Sequence, residues 1–368
     1  MESHLSLIRP AVQGLAAYRP GKPVEEVQRE LGLERVVKLA SNEGPFPPLA
    51  AAQAAIEAAV TGLNRYPDGG NVRLQEALAA RHGVSVEEIC AGSGADGCLD
   101  TLSQALLDPG DEVVCGWPSF PSYAIYAAKQ GASVVKVPLR GGRYDLEALA
   151  AAVGPRTKVV YVCHPNNPTG TMNPTDELDA LLERLPAHVL TVVDQAYFEY
   201  IERDDYPDAV ERYVKQGRTV LVLRTFSKIY GLAGLRVGYA VGPAELCAAM
   251  AKLRRPFDLT SCAQAAALAS LGDPAELARR RELNRTGRAE LVQILRAHGL
   301  EPAAGAVANF VFLETGAPAE ELFERLLREG VIVRPLAGFG APTAVRISVG
   351  TPEEHRFLDA ALTRALAA

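Results

Sequence analysis

The chain has 368 residues, 48% of them hydrophobic and 22% charged, close to a soluble globular average and with no biased tract, which excludes a disulfide or metal mini-fold and an intrinsically disordered chain. Its 38 Lys and Arg stand against 44 Asp and Glu, a net charge of −6, so no broad positive field invites nucleic acid. The basic run Arg279, Arg280, Arg281, Arg285, Arg288 is expected to be a solvated helix face, and Cys90, Cys98, Cys115, Cys163, Cys247 and Cys262, with no C-x-x-C pair, read as reduced core thiols rather than metal ligands.

Met1-Glu2-Ser3-His4 does not lead into an apolar core, and nowhere do about 18 uncharged apolar residues run together, so a cytoplasmic enzyme without a membrane span is expected. After an arm that carries Tyr18-Arg19-Pro20-Gly21-Lys22-Pro23, short apolar runs alternate with helical patterns. This rhythm predicts an α/β fold with a mainly parallel sheet flanked by helices. Strands are expected at 112–115, 133–137, 158–163, 188–193, 219–223 and 236–241, Val-rich and nearly continuously apolar, as strands covered on both faces are. Helices are expected at 72–81, 96–107 and 174–185. From about Pro256 the pattern changes to a long helix at 275–298, strands at 309–313 and 344–349, and helices at 319–329 and 352–365, which reads as a smaller α+β domain. The expected division is an arm, 1–35, a large domain, 36–255, and a small C-terminal domain, 256–368.

Several segments carry chemistry. Ala91-Gly92-Ser93-Gly94-Ala95-Asp96-Gly97 follows a short strand and opens a helix, where backbone N–H groups around Ser93, Gly94, Ala95 and Asp96 and the helix dipole favour an anion. The rest of a dinucleotide fingerprint is missing. Downstream, Phe120 offers a face to a flat ring or is plain core. The strand at 158–163 runs into His164-Pro165-Asn166-Asn167-Pro168-Thr169-Gly170, a rigid turn that leaves the Asn167 amide able to bond a ring oxygen, with His164 read as neutral packing. Asp194 ends another apolar strand in Val193-Asp194-Gln195-Ala196-Tyr197, and a buried carboxylate asks for a partner. A protonated pyridine nitrogen would serve, with Tyr197 on the ring's phenolic oxygen; a metal ion or plain solvent are the rivals. Finally, Lys228 follows a buried strand and precedes Gly231, Gly234 and Arg236. That is where open α/β sheets bind ligands. Its amine can form a Schiff base with an aldehyde while Ser227 and Arg236 hold a phosphate, which fits pyridoxal 5′-phosphate; an ordinary surface Ser-Lys with a structural arginine is the alternative.

The Ser227-Lys228 segment, Asn166-Asn167-Pro168-Thr169-Gly170, Asp194 with Tyr197, and Arg236, in this order, resemble the fold type I pyridoxal-phosphate aminotransferases across about residues 35–350. Within that superfamily, Lys38-Leu39-Ala40-Ser41-Asn42-Glu43-Gly44-Pro45-Phe46, Asn64-Arg65-Tyr66-Pro67-Asp68-Gly69 and Val345-Arg346-Ile347-Ser348-Val349-Gly350-Thr351 resemble histidinol-phosphate aminotransferases. Gly44 stands where that family usually has a second Asn, and Pro47 where it has Gly. The resemblance implies the pyridoxal-phosphate transferase fold type I, a homodimer, and a small-molecule amino donor and 2-oxo acid as partners. It implies Lys228 as cofactor anchor and proton shuttle, Tyr66 reaching across the dimer interface to the cofactor phosphate, and Arg346 gripping an α-carboxylate. Asn42 and Tyr18 are implied near the substrate. Histidinol phosphate with 2-oxoglutarate is the expected pair, with an aromatic amino acid aminotransferase or a phosphothreonine decarboxylase as alternatives. A ligand-sensing regulator is disfavoured by the intact Lys228. Arg254, Arg255 and Phe257 are further candidates for substrate contact.

Overall fold

The computed structural model describes residues 7–15 and 21–367; Tyr18, implied near the substrate, lies outside the described residues. Among them the strands are β1 (Val37–Lys38), β2 (Ile89–Gly92), β3 (Glu112–Trp117), β4 (Ser133–Pro138), β5 (Thr157–Cys163), β6 (Leu190–Asp194), β7 (Val220–Thr225), β8 (Gly238–Val241), β9 (Phe310–Glu314), β10 (Val331–Ile332), β11 (Arg334–Leu336) and β12 (Ala341–Ser348). Seven of them form one sheet in the order β2-β8-β7-β6-β5-β3-β4, parallel except for β8, which runs antiparallel to both neighbours. Helices Gly94–Leu106, Ser122–Lys129, Leu146–Ala151 and Thr175–Arg184 lie in its crossovers. β6 and β7 are buried along their whole length, which is why they read as nearly continuous apolar runs. Each fully buried Val or Leu is worth about 1.5–3 kcal/mol, so this central block anchors the sheet. The register sets Cys163 beside Asp194 and Asp194 beside Leu223, so the loops leaving β5, β6 and β7 start at one level.

The expected strands and helices form with ends moved by at most three residues. One shift bears on the site: Arg236, expected to open a strand, instead takes a left-handed backbone, φ 54°, just before β8.

The second sheet, β11-β12-β9, is antiparallel, and with helices Pro274–Ala297, Ala319–Arg328 and Pro352–Ala367 it encloses a second apolar cluster that includes Leu291, Val311, Leu326, Ile347 and Leu358. The expected divisions after residues 35 and 255 do not coincide with this packing. β1 pairs with β10, and Val27 and Ala40 pack on Leu327 and Ile332, which builds this early stretch into the smaller unit. Helix Ser261–Ser270, by contrast, lies against helix Ala50–Val60 and joins the large core through Ala263, Ala266 and Ala267. Small side chains let these two helices approach closely; the change of pattern at Pro256 marks the end of the large sheet's strands, not of its core.

The cysteines are free thiols, all buried except the half-buried Cys262. The basic run departs from expectation. Arg279 and Arg285 do stay solvated, on Glu276 and Glu282. Arg280 is buried, and its guanidinium donates to the carbonyls of Ile229 at 3.0 Å and Pro47 at 2.8 Å and to Glu276 at 2.8 Å. Arg288 donates to the carbonyls of Val307 and Ala308, and Arg281 to that of Glu199 at 2.7 Å. The reason is helical spacing: Leu277, Arg280, Asn284, Arg288, Leu291 and Leu295 share one inward stripe.

Removing one partner from a buried ion pair costs about 3–5 kcal/mol. Arg280→Ala also strips two loop carbonyls of their donor, and chemical denaturation is expected to show a loss near the lower end of that range, because Glu276 keeps Arg279. Arg279→Ala should change the midpoint little; equal losses for the two variants would contradict this placement.

Candidate active site

The C-terminal ends of β5, β6 and β7 open onto a cavity of about 290 Å³, close to the small end of the range for ligand pockets. Ala95, Asp96, Phe120, Asn167, Asp194, Tyr197, Ser227, Lys228 and Arg236, all expected at the site, line it together with Ser41, Glu43, Cys163, Ala196, Thr225 and Ala233.

Lys228 lies three residues beyond β7 in a turn pinned at both ends. Ser227 N–H donates to Thr225 Oγ1 at 3.1 Å, and Gly231 N–H to the Lys228 carbonyl at 3.0 Å. Gly231 has φ 72°, and a Cβ there would stand 2.9 Å from the carbonyl oxygens of Phe46 and Pro47, so only glycine lets the two loops touch. Gly44 is a milder case: a Cβ would meet the Lys228 carbonyl at 3.1 Å and the Tyr200 hydroxyl at 3.4 Å, tight contacts that need a small shift. At Gly44, where the chain departs from the family pattern, this loop lies directly against the lysine turn. Nζ lies 5.6 Å from the centre of the Tyr197 ring. Burial, then the positive charge of Arg346, pushes the amine down to about 8, with Arg236 adding to the effect and Glu43 and Asp194 offsetting part of it.

Asp194 is buried, accepting from Tyr123 Oη at 2.7 Å and Ala196 N–H at 3.1 Å; burial holds its carboxyl above the ordinary range. Among the described residues no group of three His, Cys, Asp or Glu gathers to hold a metal ion. Tyr123, absent from the expected set, stacks on Tyr161 with centroids 4.5 Å apart, and nothing in its local sequence separates it from a core tyrosine. Asn167 accepts through Oδ1 from Arg346 Nη1, while Arg346 Nη2 donates to the Ala40 carbonyl at 2.9 Å. The Arg346 guanidinium is therefore buried against the site, between the rings of Phe310 and Phe339, not in solvent.

The start of helix Gly94–Leu106 supplies the anion end. Ser93 occupies its N-cap without its side chain capping an N–H, so the first N–H groups stay available. Arg236 is exposed, donates to the Ala233 carbonyl at 3.1 Å, and lies so close to Gly94 that a Cβ there would be 2.9 Å from Nη2. Asp96 accepts from Tyr126 Oη at 2.6 Å through one oxygen, and its other oxygen is buried with no hydrogen-bond partner among the described residues. An amine, a buried carboxylate, hydroxyl and amide donors for a ring oxygen, and a cationic helix start fit a flat pyridine ring carrying an aldehyde and a phosphate.

Other expected residues do not meet in this cavity. Tyr66 is 81% exposed and stacked on Phe257 at 4.4 Å. Arg254 ties the carbonyls of Ala91 and Gly69, Arg255 points outward, and neither they nor Phe257 line the cavity. Asn42 sits behind the wall, donating to Tyr197 Oη at 2.8 Å. His164 is fully buried, with Nε2 on the Asn173 carbonyl at 2.7 Å, and burial pushes it down to about 4, a neutral packed imidazole as expected.

A family model described as aminotransferase class I and II matches residues 34–361. The chain is similar to a histidinol-phosphate aminotransferase of Moorella thermoacetica, 44% identical over 98% of this chain and 93% of that one. It is also similar to the crystal structure of histidinol-phosphate aminotransferase from Sinorhizobium meliloti in complex with pyridoxal 5′-phosphate, with a TM-score of 0.89 and 32% identity over 98% of each chain. Aspartate aminotransferase from Thermus thermophilus with maleate follows at a TM-score of 0.83 and 29% identity, covering 97% of this chain and 98% of that one.

In the cofactor-free protein the Lys228 amine is expected to titrate near pH 8, against about 10.4 for an ordinary lysine. Isotope-edited NMR of reductively methylated protein reads this midpoint directly. Arg346→Met removes a neighbouring cation and should raise it; a wild-type midpoint near 10 would mean that the amine stands in water.

Proposed function

We propose that this chain, which belongs to the class I and II aminotransferase family, is a pyridoxal 5′-phosphate-dependent transaminase that moves an amino group between histidinol phosphate and 2-oxoglutarate. The observation that carries the reaction type is one cavity wall holding Lys228, Asp194, Asn167 and Arg236 together. What supports the substrate is the near-full-length similarity to a histidinol-phosphate aminotransferase. When bound, the cofactor supplies an electron sink for the bond being broken at the substrate's α-carbon.

The chain's own residues do the rest. The buried Asp194 carboxylate would keep the ring nitrogen protonated, Asn167 and Tyr197 would bond the ring oxygen, and Phe120 would lie against the ring. Ser227, Arg236 and the N–H groups of Gly94, Ala95 and Asp96, behind Ser93, would hold the phosphate. The Lys228 amine, lowered to about 8, is neutral often enough near physiological pH to take a proton from the substrate's α-carbon and return it elsewhere. Arg346, a planar fork already desolvated, grips the carboxylate of glutamate. Histidinol phosphate has a hydroxymethyl group at that place, so it depends on Arg346 less.

The enzyme acts as a homodimer. Tyr66 and Phe257 stack in the open, Val60, Leu63 and Val72 in the neighbouring sequence are also exposed, and a second copy covering Tyr66 and Phe257 would bring Tyr66 to the partner subunit's phosphate site. Its surroundings are cytoplasmic: the thiols are free, and among the described residues no helix is long and apolar enough to cross a membrane.

Histidinol phosphate should exceed phenylalanine as amino donor to 2-oxoglutarate, in kcat/KM, by about 10²-fold or more, because a site that bonds a required polar group rejects analogues lacking it by up to ~10⁴. The reverse order would move the chain to an aromatic specificity. Tyr66→Phe and Lys228→Ala chains, each inactive or weakened alone, should recover activity when subunits are exchanged, since one site of the mixed dimer then carries neither change. Verified exchange without recovery would exclude a shared site.

A further inference from the structure

Both polar side-chain atoms of Asn42, implied at the substrate, are already engaged within the protein. The residue is 1% exposed, with a left-handed backbone, φ 55°, that asparagine tolerates well. Its Nδ2 donates to Tyr197 Oη at 2.8 Å and its Oδ1 accepts from Ser348 Oγ at 3.3 Å. Its backbone N–H donates to the same Ser348 oxygen at 2.9 Å, and its carbonyl accepts from Asn309 Nδ2 at 3.0 Å. An amide NH₂ can only donate, so Tyr197 Oη accepts here and its own hydrogen must point elsewhere. With the opposite amide orientation Nδ2 and the backbone N–H of Asn42 would both face Ser348 Oγ as donors, and the Ser348 hydroxyl hydrogen would lose the Oδ1 acceptor that it has among the described residues.

Tyr197 is buried edge-on to Phe310, 5.2 Å between centroids, and it lines the cavity beside Asn167 and Lys228. Among the described residues no other group bonds its hydroxyl. We propose that Asn42 is a positioning residue that turns the Tyr197 proton into the cavity, making Tyr197 a donor toward the cofactor's ring oxygen. This rests on the pyridoxal 5′-phosphate reading above. Ser348 and Asn309 belong to the smaller unit and Tyr197 to the larger, so Asn42 conveys the seating of one unit to a proton in the other. The charged and titratable groups around that proton are Lys228, Arg236, Arg346, Glu43, Asp96, Asp194, Cys163 and Tyr200.

The test is a pH titration of the visible absorbance of the loaded enzyme for wild type, Asn42→Gly, Tyr197→Phe and the double variant. Glycine keeps the left-handed backbone, so the side chain is removed without strain. A hydrogen bond donated to the ring oxygen favours the deprotonated form, which carries more negative charge there, and weakening it moves the midpoint to higher pH. Asn42→Gly is expected to raise the midpoint by about half a pH unit, roughly threefold in proton affinity, and Tyr197→Phe by more. In the Tyr197→Phe background Asn42→Gly should add nothing. Asn42→Asp keeps the shape but replaces the donor with an acceptor; it should shift wild type further than it shifts Tyr197→Phe. No shift, or the same shift in both backgrounds, overturns the assignment. A wild-type protein that takes up no chromophore on Lys228 refutes the cofactor reading and this inference with it, whereas a normal wild-type band with non-interacting variants refutes this inference alone.

Discussion

A guanidinium kept almost wholly out of water is the constraint on which the site depends. Arg346 is 4% exposed, held by Asn167 and the Ala40 carbonyl between two aromatic rings, and a buried charge survives only where its donors are matched. Because it stands on the second strand system yet ends on the turn after β5, it ties the smaller unit to the C-terminal edge of the large sheet. The same charge depresses the Lys228 amine and acts against the burial that lifts the Tyr197 hydroxyl. Position, proton affinity and the joining of two units thus follow from where one cation is kept.

The lysine turn is braced from the other side. Arg280 bonds the carbonyls of both Ile229 and Pro47, and the glycines at 44 and 231 let the two loops approach closely enough for one side chain to span them. A nucleophile on a loop needs such support, since misplacing a reacting group by about 1 Å can cost about 10²-fold in rate. A helix that reads as a solvated basic face therefore serves the site through its inward stripe.

Much of this was legible beforehand. Val-rich runs of strand length identified β3 to β7, and the residues at the ends of those runs, Asn167, Asp194, Tyr197, Ser227 and Lys228, do share one cavity wall. Tyr123 was not legible, because its bond to Asp194 depends on two crossovers bringing one helix over one strand end. Nor was the placement of Tyr66, which stacks on Phe257 away from the cavity of its own chain, or of Asn42, whose amide is spent on Tyr197 and not on a ligand. The Arg280 stripe was present in the spacing of 277, 280, 284 and 288 but was masked by the density of charge around it.

The sequence by itself determined the parallel α/β architecture, the chemistry-bearing residues at the strand ends and the cofactor class they suit, because buried strands, tight turns and a lysine after a strand each leave a mark within a few residues. Only the tertiary structure decided which donors are already spent, how far Lys228 is shifted, and where the two units divide, with β1 built into the smaller unit and helix Ser261–Ser270 into the larger. Those outcomes depend on contacts between segments hundreds of residues apart, Asn42 with Ser348 among them, and on burial, neither of which a local pattern records.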